Sequence, residues 1–519
     1  MKKYLLFLII TFIVFGAQAQ IDTIARSFST TITAYDLKDN LTYIASPSTE
    51  GRETGTPGLV RAAEYIASKF GLIGIQQMGG TGTYYQSYKY IRSKSRDVTL
   101  FDSLQRYEYL KDFYVQADVR NGLVYKKQVV FMGYGIDAPG FNDYANDTNL
   151  TDKIVVLFND EPYHKGKSLI TGNISHSDWY HNTTLKLNRI SKYKPAAVIF
   201  IDDAFYGKSN EIKRNLVNDA TPMLVQSIYE VSFPILYTNL TVASKLLGTD
   251  SMKLSRIAKK TTKKHKPIHF ASKNRFSIEL DRISSVPTSD NVIGYVEGSD
   301  LKDEFVVISA HYDHLGMHKG KIYYGADDDG SGTAALIEIA EAFAIAKSAG
   351  NGPRRSILFC AFSGEEKGLL GSNFYVSNPR VPLEKTVLDL NIDMIGRVDS
   401  TYSALQNPNY VYPIGSTKHS SELKQLLEKC NDDYTKLKLD FKFDVEDKNK
   451  FYSRSDHYNF AKNGVPVIFF FTGLHADYHK STDTIEKINF EKMETIARLV
   501  FQVAWKTANQ TERLKLDIK

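Results

Sequence analysis

The sequence predicts an α/β fold in which helices flank a mixed β-sheet, with a mainly-β domain inserted into it. The first observation is a set of four hydrophobic runs typical of buried strands, at residues 305–308, 356–362, 387–392 and 465–471. The second is the helical spacing of apolar residues in three segments, 59–70, 332–340 and 490–506. The third is a change to short strand patterns and glycine-rich turns between about 115 and 270.

Each of the four hydrophobic runs is followed by residues whose side chains can bind a metal ion. They are, in chain order, His311 with Asp327–Asp329, Glu365 with Glu366, Asp393, and His479. Ligands of open α/β sheets bind beyond the carboxyl ends of the strands. Imidazole and carboxylate groups suit zinc, and five such ligands serve two ions only if one of them bridges. A carboxylate of the 327–329 run is the natural bridge, which leaves Glu365 as a base.

The ordered motifs resemble those of metallopeptidase family 28, whose members include di-zinc aminopeptidases and glutamate carboxypeptidases. The matching strings are His311-x-Asp313, GADDDGSG at 325–332, Glu365-Glu366, NIDMIGR at 391–397 and DYHKSTDT at 477–484. The resemblance implies a phosphorylase/hydrolase-like zinc exopeptidase fold and two zinc ions per chain. It also implies that Asp328, three residues before the serine of Ser-Gly, bridges the ions. The remaining ligands would be His311 and Asp393 for one ion, and Glu366 and His479 for the other.

The same resemblance implies catalytic roles. Glu365 would act as the general base on a zinc-activated water, and Asp313 would orient His311. Tyr452, in the string FYSRSDH at 451–457, falls where family aminopeptidases place a hydroxyl near the developing oxyanion. We therefore expect an aminopeptidase that acts on peptides. A carboxypeptidase or dipeptidase of the same fold is the main alternative, and a glutaminyl-cyclase-like enzyme or a non-catalytic binding protein is less favoured.

Other residues near the motifs are interpreted without a direct role at the metal. Asp327 and Asp329 are expected to hold the turn or cap the following helix. Three histidines on which no family ligand falls are interpreted as solvated or rim residues: His314, His318 and His475. The aromatic run 469–471 either lines an apolar substrate pocket or belongs to the core, and both interpretations stay open.

The chain organisation is predicted to be discontinuous. Residues 1–19, with two lysines, an apolar run and an Ala-x-Ala end, are typical of a signal peptide, which indicates a secreted or periplasmic protein. Residues 20–114 and 271–519 are expected to form the peptidase domain, and the second part carries the metal ligands. Residues 115–270 resemble an inserted protease-associated domain.

Composition excludes several classes of protein. The formal charge of +6, or +4 without Lys2 and Lys3, is too small for this length to indicate nucleic-acid binding. The basic run 259–266 is interpreted as a solvated linker. Cys360 and Cys430 are the two cysteines of the chain, and a structural disulfide between them is not expected. No apolar run after the signal peptide is long enough to span a membrane.

Overall fold

The computed structural model describes residues 22–78, 82–115, 122–145, 149–202, 204–210, 223–225 and 233–518. The predicted signal peptide lies outside the described residues. The described chain divides into two compact units. The first combines 22–86 with 291–518, and the second comprises the described residues of 87–290.

The first unit is built on a mixed β-sheet. Its described strands, in chain order, are β1 (Gln76–Gln77), β2 (Thr288–Val296), β3 (Leu301–His311), β4 (Arg355–Phe362), β5 (Thr386–Ile392), β6 (Tyr410–Ile414), β7 (Lys438–Leu439) and β8 (Val467–Phe471). Across the sheet they follow the order β1-β2-β4-β3-β5-β8-β6-β7. The four central strands β4, β3, β5 and β8 are mutually parallel, and these are the four hydrophobic runs predicted from the sequence.

Helices flank this sheet, which confirms the predicted fold class. They are α1 (Thr23–Ser29), α2 (Ala34–Ile44), α3 (Pro57–Leu72), α4 (Gly332–Ser348), α5 (Leu370–Ser377), α6 (Ser400–Ala404), α7 (Ser421–Cys430), α8 (Lys442–Val445), α9 (His457–Ala461) and α10 (Phe490–Asn509). Parallel strands need long crossover connections, and α4 supplies the one between β3 and β4.

The main core lies between the sheet and helices α2, α3, α4 and α10. The predicted apolar face of α3 is buried, and the ring of Phe70 on α3 lies 6.3 Å from that of Phe359 on β4. Phe343 of α4 and Phe501 of α10 bring their ring centroids to 4.5 Å. Each such buried aromatic or aliphatic side chain stabilises the fold by about 1.5–3 kcal/mol relative to exposure. Because α4 and α10 are buried against the sheet, they fix the positions of the strand ends.

The second unit is a separate, mainly-β body. Neighbouring strands of its sheet run, in spatial order, Phe113–Val115, Ile235–Thr238, Ala197–Ile201, Ile154–Phe158, Gly122–Phe131, Phe270–Ser285, Tyr85–Phe101 and Arg106–Tyr107. Its described helices are Thr183–Ile190, Leu240–Leu246 and Ser251–Lys264. The assignment of this region to a protease-associated domain stays a prediction.

The interpretation of 259–266 as a linker is wrong. Most of this basic run belongs to the helix Ser251–Lys264, whose N-terminus is capped by Asp250 accepting from the Lys253 N–H at 2.7 Å. Leu254 of this helix is buried in the core of the second unit, and Ile257 packs against that core. The lysines remain on the solvent side, so the run is exposed but helical.

The two cysteines are unpaired and buried, Cys360 within β4 and Cys430 at the end of α7, in agreement with the expectation of no disulfide. Among the described residues, every helix is too short or too polar to cross a bilayer.

Candidate metal centre

The parallel strands β3, β4, β5 and β8 deliver the predicted ligand residues to one edge of the sheet. His311 is the last residue of β3, and Asp393 directly follows β5. Glu366 lies four residues beyond β4, and His479 lies in the loop after β8. Asp328 comes from the helical turn Ala326–Ser331, which precedes α4. All five side chains converge, because the carboxyl ends of parallel strands meet at the same edge.

The donor atoms form two groups. In the first donor group, His311 Nε2 lies 3.3 Å from Asp328 Oδ1 and 3.5 Å from Asp393 Oδ1. In the second donor group, His479 Nε2 lies 3.0 Å from Asp328 Oδ2 and 3.3 Å from Glu366 Oε1. Asp328 therefore turns one carboxylate oxygen toward each group, as a bridging ligand would.

The buried donor atoms of both groups lack hydrogen-bond partners among the described residues. They are His311 Nε2, Asp328 Oδ2, Glu366 Oε1 and Asp393 Oδ1. Buried polar atoms are almost always hydrogen-bonded, so a cluster of unsatisfied ones requires an explanation. Carboxylate and imidazole atoms that lie close together without hydrogen bonds are what a cation-binding site requires.

The carboxylate of Asp329 is occupied by backbone N–H groups instead. Its Oδ1 accepts from Gly332 N at 2.8 Å and from Met394 N at 3.1 Å, and its Oδ2 accepts from His311 N at 3.3 Å. Asp327 Oδ1 accepts from Gly396 N at 2.6 Å. Both acids thus hold the turn and the segments beside it, as expected from the sequence. Asp329 also lies close enough to His311 and Asp393 for these three side chains to hold a metal ion together.

Two of the three histidines interpreted as solvated or rim residues are not exposed, and that interpretation is wrong for them. His314 is fully buried, with Nδ1 at 2.9 Å from Glu366 Oε1. The side chain of His475 is only 2% exposed and points Nε2 at Asp327 Oδ2, 3.3 Å away. His318, in the hairpin of Met317–His318 and Lys321–Ile322, is partly exposed as expected.

Asp313 connects the first donor group to the Glu365 segment. His311 Nδ1 lies 3.1 Å from the main-chain oxygen of Asp313, whereas the carboxylate Oδ1 is farther away, at 3.7 Å. That carboxylate accepts from Glu365 N at 3.0 Å and from the Thr54 hydroxyl at 2.8 Å. Asp313 therefore orients the imidazole through its backbone and positions Glu365 through its side chain.

Burial and like charges shape the pKa values of these groups. Burial, together with the neighbouring carboxylates Glu366 and Asp393, raises the pKa of Glu365 well above its ordinary value against the opposing effect of His311. For Asp328, burial would raise the pKa, but the imidazoles of His311 and His479 outweigh it and hold the value well below the usual range. The surroundings thus shift the pKa values of these two carboxyl groups in opposite directions, which is typical of functional sites.

A cleft opens beside the donor atoms. It is lined by Asp328, Glu365, Asp393 and His479 on the charged side, and by Met394, Phe451, Arg454, Phe469, Phe471, Leu474 and Tyr478 on the other. Tyr452 is not among the lining residues described; its hydroxyl lies 3.3 Å from His419 Nε2. Tyr478 does line this cleft, and its hydroxyl accepts from Arg454 Nη2 at 3.2 Å.

The buried Arg52 ties the loops of the site together, a role that sequence reasoning missed. Its guanidinium donates to the carbonyl oxygens of Tyr312, Ile44 and Tyr324 at 2.8 Å and of Gly325 at 2.9 Å. These contacts join the segment after His311 to the turn that carries Asp328. The string EGRETG at 50–55 places this arginine among turn residues just before a helix, but its partners Tyr312, Tyr324 and Gly325 are distant in sequence.

A comparison with protein families agrees with this geometry. Residues 291–504 match the model of Peptidase family M28. The chain carries a family M28 peptidase domain. All five predicted ligands lie inside the matched segment, as do Glu365 and Tyr478.

Curated proteins and solved structures also resemble parts of the chain or its fold. Aminopeptidase YwaD of Bacillus subtilis is 28% identical over 242 residues, which cover 44% of this chain and 47% of that protein. The probable glutamate carboxypeptidase VP8 of Zea mays is 38% identical over 104 residues, 20% of this chain and 14% of that protein. The structure of an aminopeptidase from Aneurinibacillus sp. strain AM-1 superimposes with a TM-score of 0.51 at 17% identity, covering 95% of this chain and 98% of that one, and thus shares the fold. The chain spans less than half the length of the two curated relatives.

The structure predicts that Arg52 stabilises the M28 domain through its hydrogen bonds to buried carbonyls. Arg52→Met should lower the free energy of unfolding by about 2–4 kcal/mol, because it leaves several buried acceptors unsatisfied. Chemical denaturation measures the change. The matched control is Arg61→Met: this side chain is 36% exposed and pairs with Glu50, so a loss below about 1 kcal/mol is expected. Equal losses in both variants would contradict the role assigned to Arg52.

Proposed function

We propose that this protein is a secreted di-zinc exopeptidase that removes N-terminal residues from peptides. The observation that carries the proposal is the Asp328 carboxylate, which offers one oxygen to each of two donor groups beside a cleft that Glu365 also lines. Secretion rests on the predicted signal peptide.

Zinc fits the donor set of this chain. Imidazole nitrogen and carboxylate oxygen are ligands that zinc prefers, and sulfur is absent from both donor groups. Two such ions, when bound, make a water molecule acidic and polarise a carbonyl group. The three ligand carboxylates of the site would then be neutralised, which removes the electrostatic cost of burying them together.

Glu365 is the proposed proton carrier. It lines the cleft, and its backbone N–H donates to the Asp313 carboxylate. The close contacts with the histidines of the second donor group are recorded for Glu366 and not for Glu365. Burial raises its pKa, which suits a group that must both accept and release a proton. It takes the proton of the attacking water and returns it to the nitrogen of the leaving amine.

Tyr478 is the proposed donor to the oxyanion, in place of Tyr452. Because its hydroxyl oxygen already accepts from Arg454, its own proton is free to point at the substrate. A donor that meets the carbonyl oxygen as charge develops there stabilises the transition state more than the ground state. The Tyr452 hydroxyl instead lies 3.3 Å from His419 Nε2.

The cleft supports an apolar first residue in the substrate. Phe451, Phe469, Phe471 and Leu474 form its apolar wall, opposite the donor atoms. A side chain buried there gains about 25 cal/mol for each Å² of apolar surface removed from water. Aminopeptidase rather than carboxypeptidase action is proposed because Aminopeptidase YwaD, whose match covers 44% of this chain, is named for that activity, whereas the match to the probable glutamate carboxypeptidase VP8 covers 20%.

The deciding experiment compares peptides with free and blocked N-termini. We expect release of the first residue from a free peptide such as Leu-Gly-Gly, and no cleavage of its N-acetylated form. Chelation followed by zinc addition serves as the control for metal dependence. Cleavage of acetylated peptides from the carboxyl end, without release from free amino ends, would favour the carboxypeptidase alternative.

Glu365 and its neighbour Glu366 are predicted to respond differently to the same substitution. Glu365→Gln should keep the metal content and lower kcat by about ten-thousandfold or more, since one residue serves two proton transfers. Glu366→Gln should instead lower the zinc content, as measured by elemental analysis, because its oxygen belongs to the second donor group. Metal loss in Glu365→Gln with retention in Glu366→Gln would mean that base and ligand are exchanged.

Tyr478→Phe should lower kcat by about a hundredfold with a small change in KM, because the lost interaction belongs to the transition state. Steady-state kinetics on a Leu-anilide substrate measures both constants. Tyr452→Phe is the matched control and should leave kcat essentially unchanged. A large loss in Tyr452→Phe together with an active Tyr478→Phe would return the oxyanion role to Tyr452.

A further inference from the structure

The second unit carries a concentration of positive charge that the proposed activity does not use. Segment 251–266 contains no Asp or Glu and seven cations: Lys253, Arg256, Lys259, Lys260, Lys263, Lys264 and Lys266. The whole chain has 65 Lys and Arg against 59 Asp and Glu, so these seven exceed its entire formal excess of six. The net positive charge of the chain is therefore a local property of this segment.

The helix Ser251–Lys264 turns these cations away from the core. Leu254 and Thr261 are buried, and Ile257 packs against the core of the second unit, which defines an inner face with a helical spacing of three and four residues. All seven cations are exposed to solvent. The six that lie on the helix span a rise of about 16 Å, and the seventh follows directly after its end. These seven side chains are called the basic face below.

A hairpin beside the helix extends the positive charge. The ring of His265, directly after the helix, lies 5.7 Å from the ring of His164. His164 belongs to the hairpin 163–168, in which Lys165 and Lys167 are exposed. Cations of two elements thus lie side by side on the same part of the second unit.

The cations of the basic face have no carboxylate partner among the described residues. The ion pairs recorded in the second unit join other side chains, such as Lys127 with Asp152 at 2.6 Å and His269 with Asp143 at 3.3 Å. Like charges three and four residues apart on a helix destabilise it. A partner with closely spaced negative charges would remove this repulsion, so the surface is suited to a polyanion.

Two features of the same helix favour a lipid bilayer over a nucleic acid. Met252 is 68% exposed and lies four and seven residues before Arg256 and Lys259, on their side of the helix. An apolar side chain among cations suits the boundary between lipid headgroups and acyl chains. Nucleic-acid surfaces instead use arginine forks and aromatic side chains that stack on bases. The basic face has a single arginine, and the helix has no aromatic residue.

We propose that the basic face is a docking surface for a bilayer that contains anionic phospholipids. The lysine ammonium groups pair with lipid phosphates, and Met252 enters the headgroup layer. The inner face of the helix stays in the core of the second unit, so the attachment is peripheral. The proposal does not depend on the di-zinc function, because no residue of the metal centre takes part in it.

Vesicle sedimentation of the full chain tests the proposal. We expect binding to vesicles of phosphatidylcholine mixed with phosphatidylglycerol, and none to vesicles of phosphatidylcholine alone. Binding should fall steeply as salt is added, because charges are screened beyond about 10 Å at 0.1 M ionic strength. Equal binding to both kinds of vesicle would overturn the proposal. Tighter binding of the wild type to duplex DNA than to the anionic vesicles would also overturn it, in favour of a nucleic-acid partner.

A variant then locates the binding surface. The combined substitutions Lys259→Gln, Lys260→Gln, Lys263→Gln and Lys264→Gln remove four exposed charges and keep good helix formers in place. Each Lys near an anionic lipid surface strengthens binding about fivefold, so the variant should bind anionic vesicles at least about a hundredfold more weakly. Circular dichroism checks that it folds, and if it does not, the comparison of vesicles and salt with the wild type still decides.

The matched control removes four exposed lysines of the first unit, Lys38, Lys319, Lys385 and Lys436, each replaced by Gln. Its net charge equals that of the first variant, and its vesicle binding should change by less than about fivefold. Equal losses in the two variants would overturn the proposal, because binding would then follow net charge rather than the basic face. Hydrolysis of a soluble free peptide reports on the proposed function separately and should be the same in all three proteins.

Discussion

The arrangement of the first unit depends on a cluster of buried carboxylates at the edge of its sheet where the parallel strands end. Asp328, Glu366 and Asp393 bring three carboxylates into a volume almost closed to solvent. Each ion removed from water costs several kcal/mol unless it meets opposite charge in good geometry. Imidazoles supply part of that charge, and the proposed zinc ions would supply the rest. Because the surroundings of such a cluster must not relax away from it, the loops that carry it are held by hydrogen bonds from deeply buried groups.

Two side chains provide that support from opposite sides. Arg52 holds the carbonyls of Tyr312, Tyr324 and Gly325. Asp483 Oδ2 accepts the N–H groups of both Asp327 and Asp328 at 3.1 and 3.2 Å. Burial lowers the pKa of Arg52 to about 10, which is still far above neutral pH. The guanidinium therefore stays charged while it donates hydrogen bonds to uncharged carbonyl groups. The Asp328 turn is thus fixed through its backbone, and its carboxylate oxygens remain available to the donor groups.

The sequence could predict what is encoded locally. Hydrophobic runs followed by His, Asp and Glu indicated the central strands and the side chains that come together at their ends, because a parallel sheet brings its strand ends to one edge. His314, Tyr478 and Arg52 act through tertiary contacts, and their neighbours in sequence do not reveal them. The helix Ser251–Lys264 is a different case. Its cap Asp250 and the spacing of Leu254 and Ile257 were present in the sequence, but the density of lysines concealed them.

Strand β8 shows why the two interpretations of the 469–471 run are both partly correct. Successive side chains of a strand point to opposite faces. Ile468 and Phe470 belong to the main core beneath the helices, whereas Phe469 and Phe471 face the other side and line the cleft. One strand therefore builds the core with one face and the wall of the cleft with the other. Since Phe469 and Phe471 also pack in an aromatic cluster with Tyr412 and Phe451, a change in the shape of the cleft at these positions is necessarily a change in packing as well. Leu474, which is exposed beyond the end of the strand, lies outside that cluster, so a substitution there changes the cleft at a smaller cost in stability.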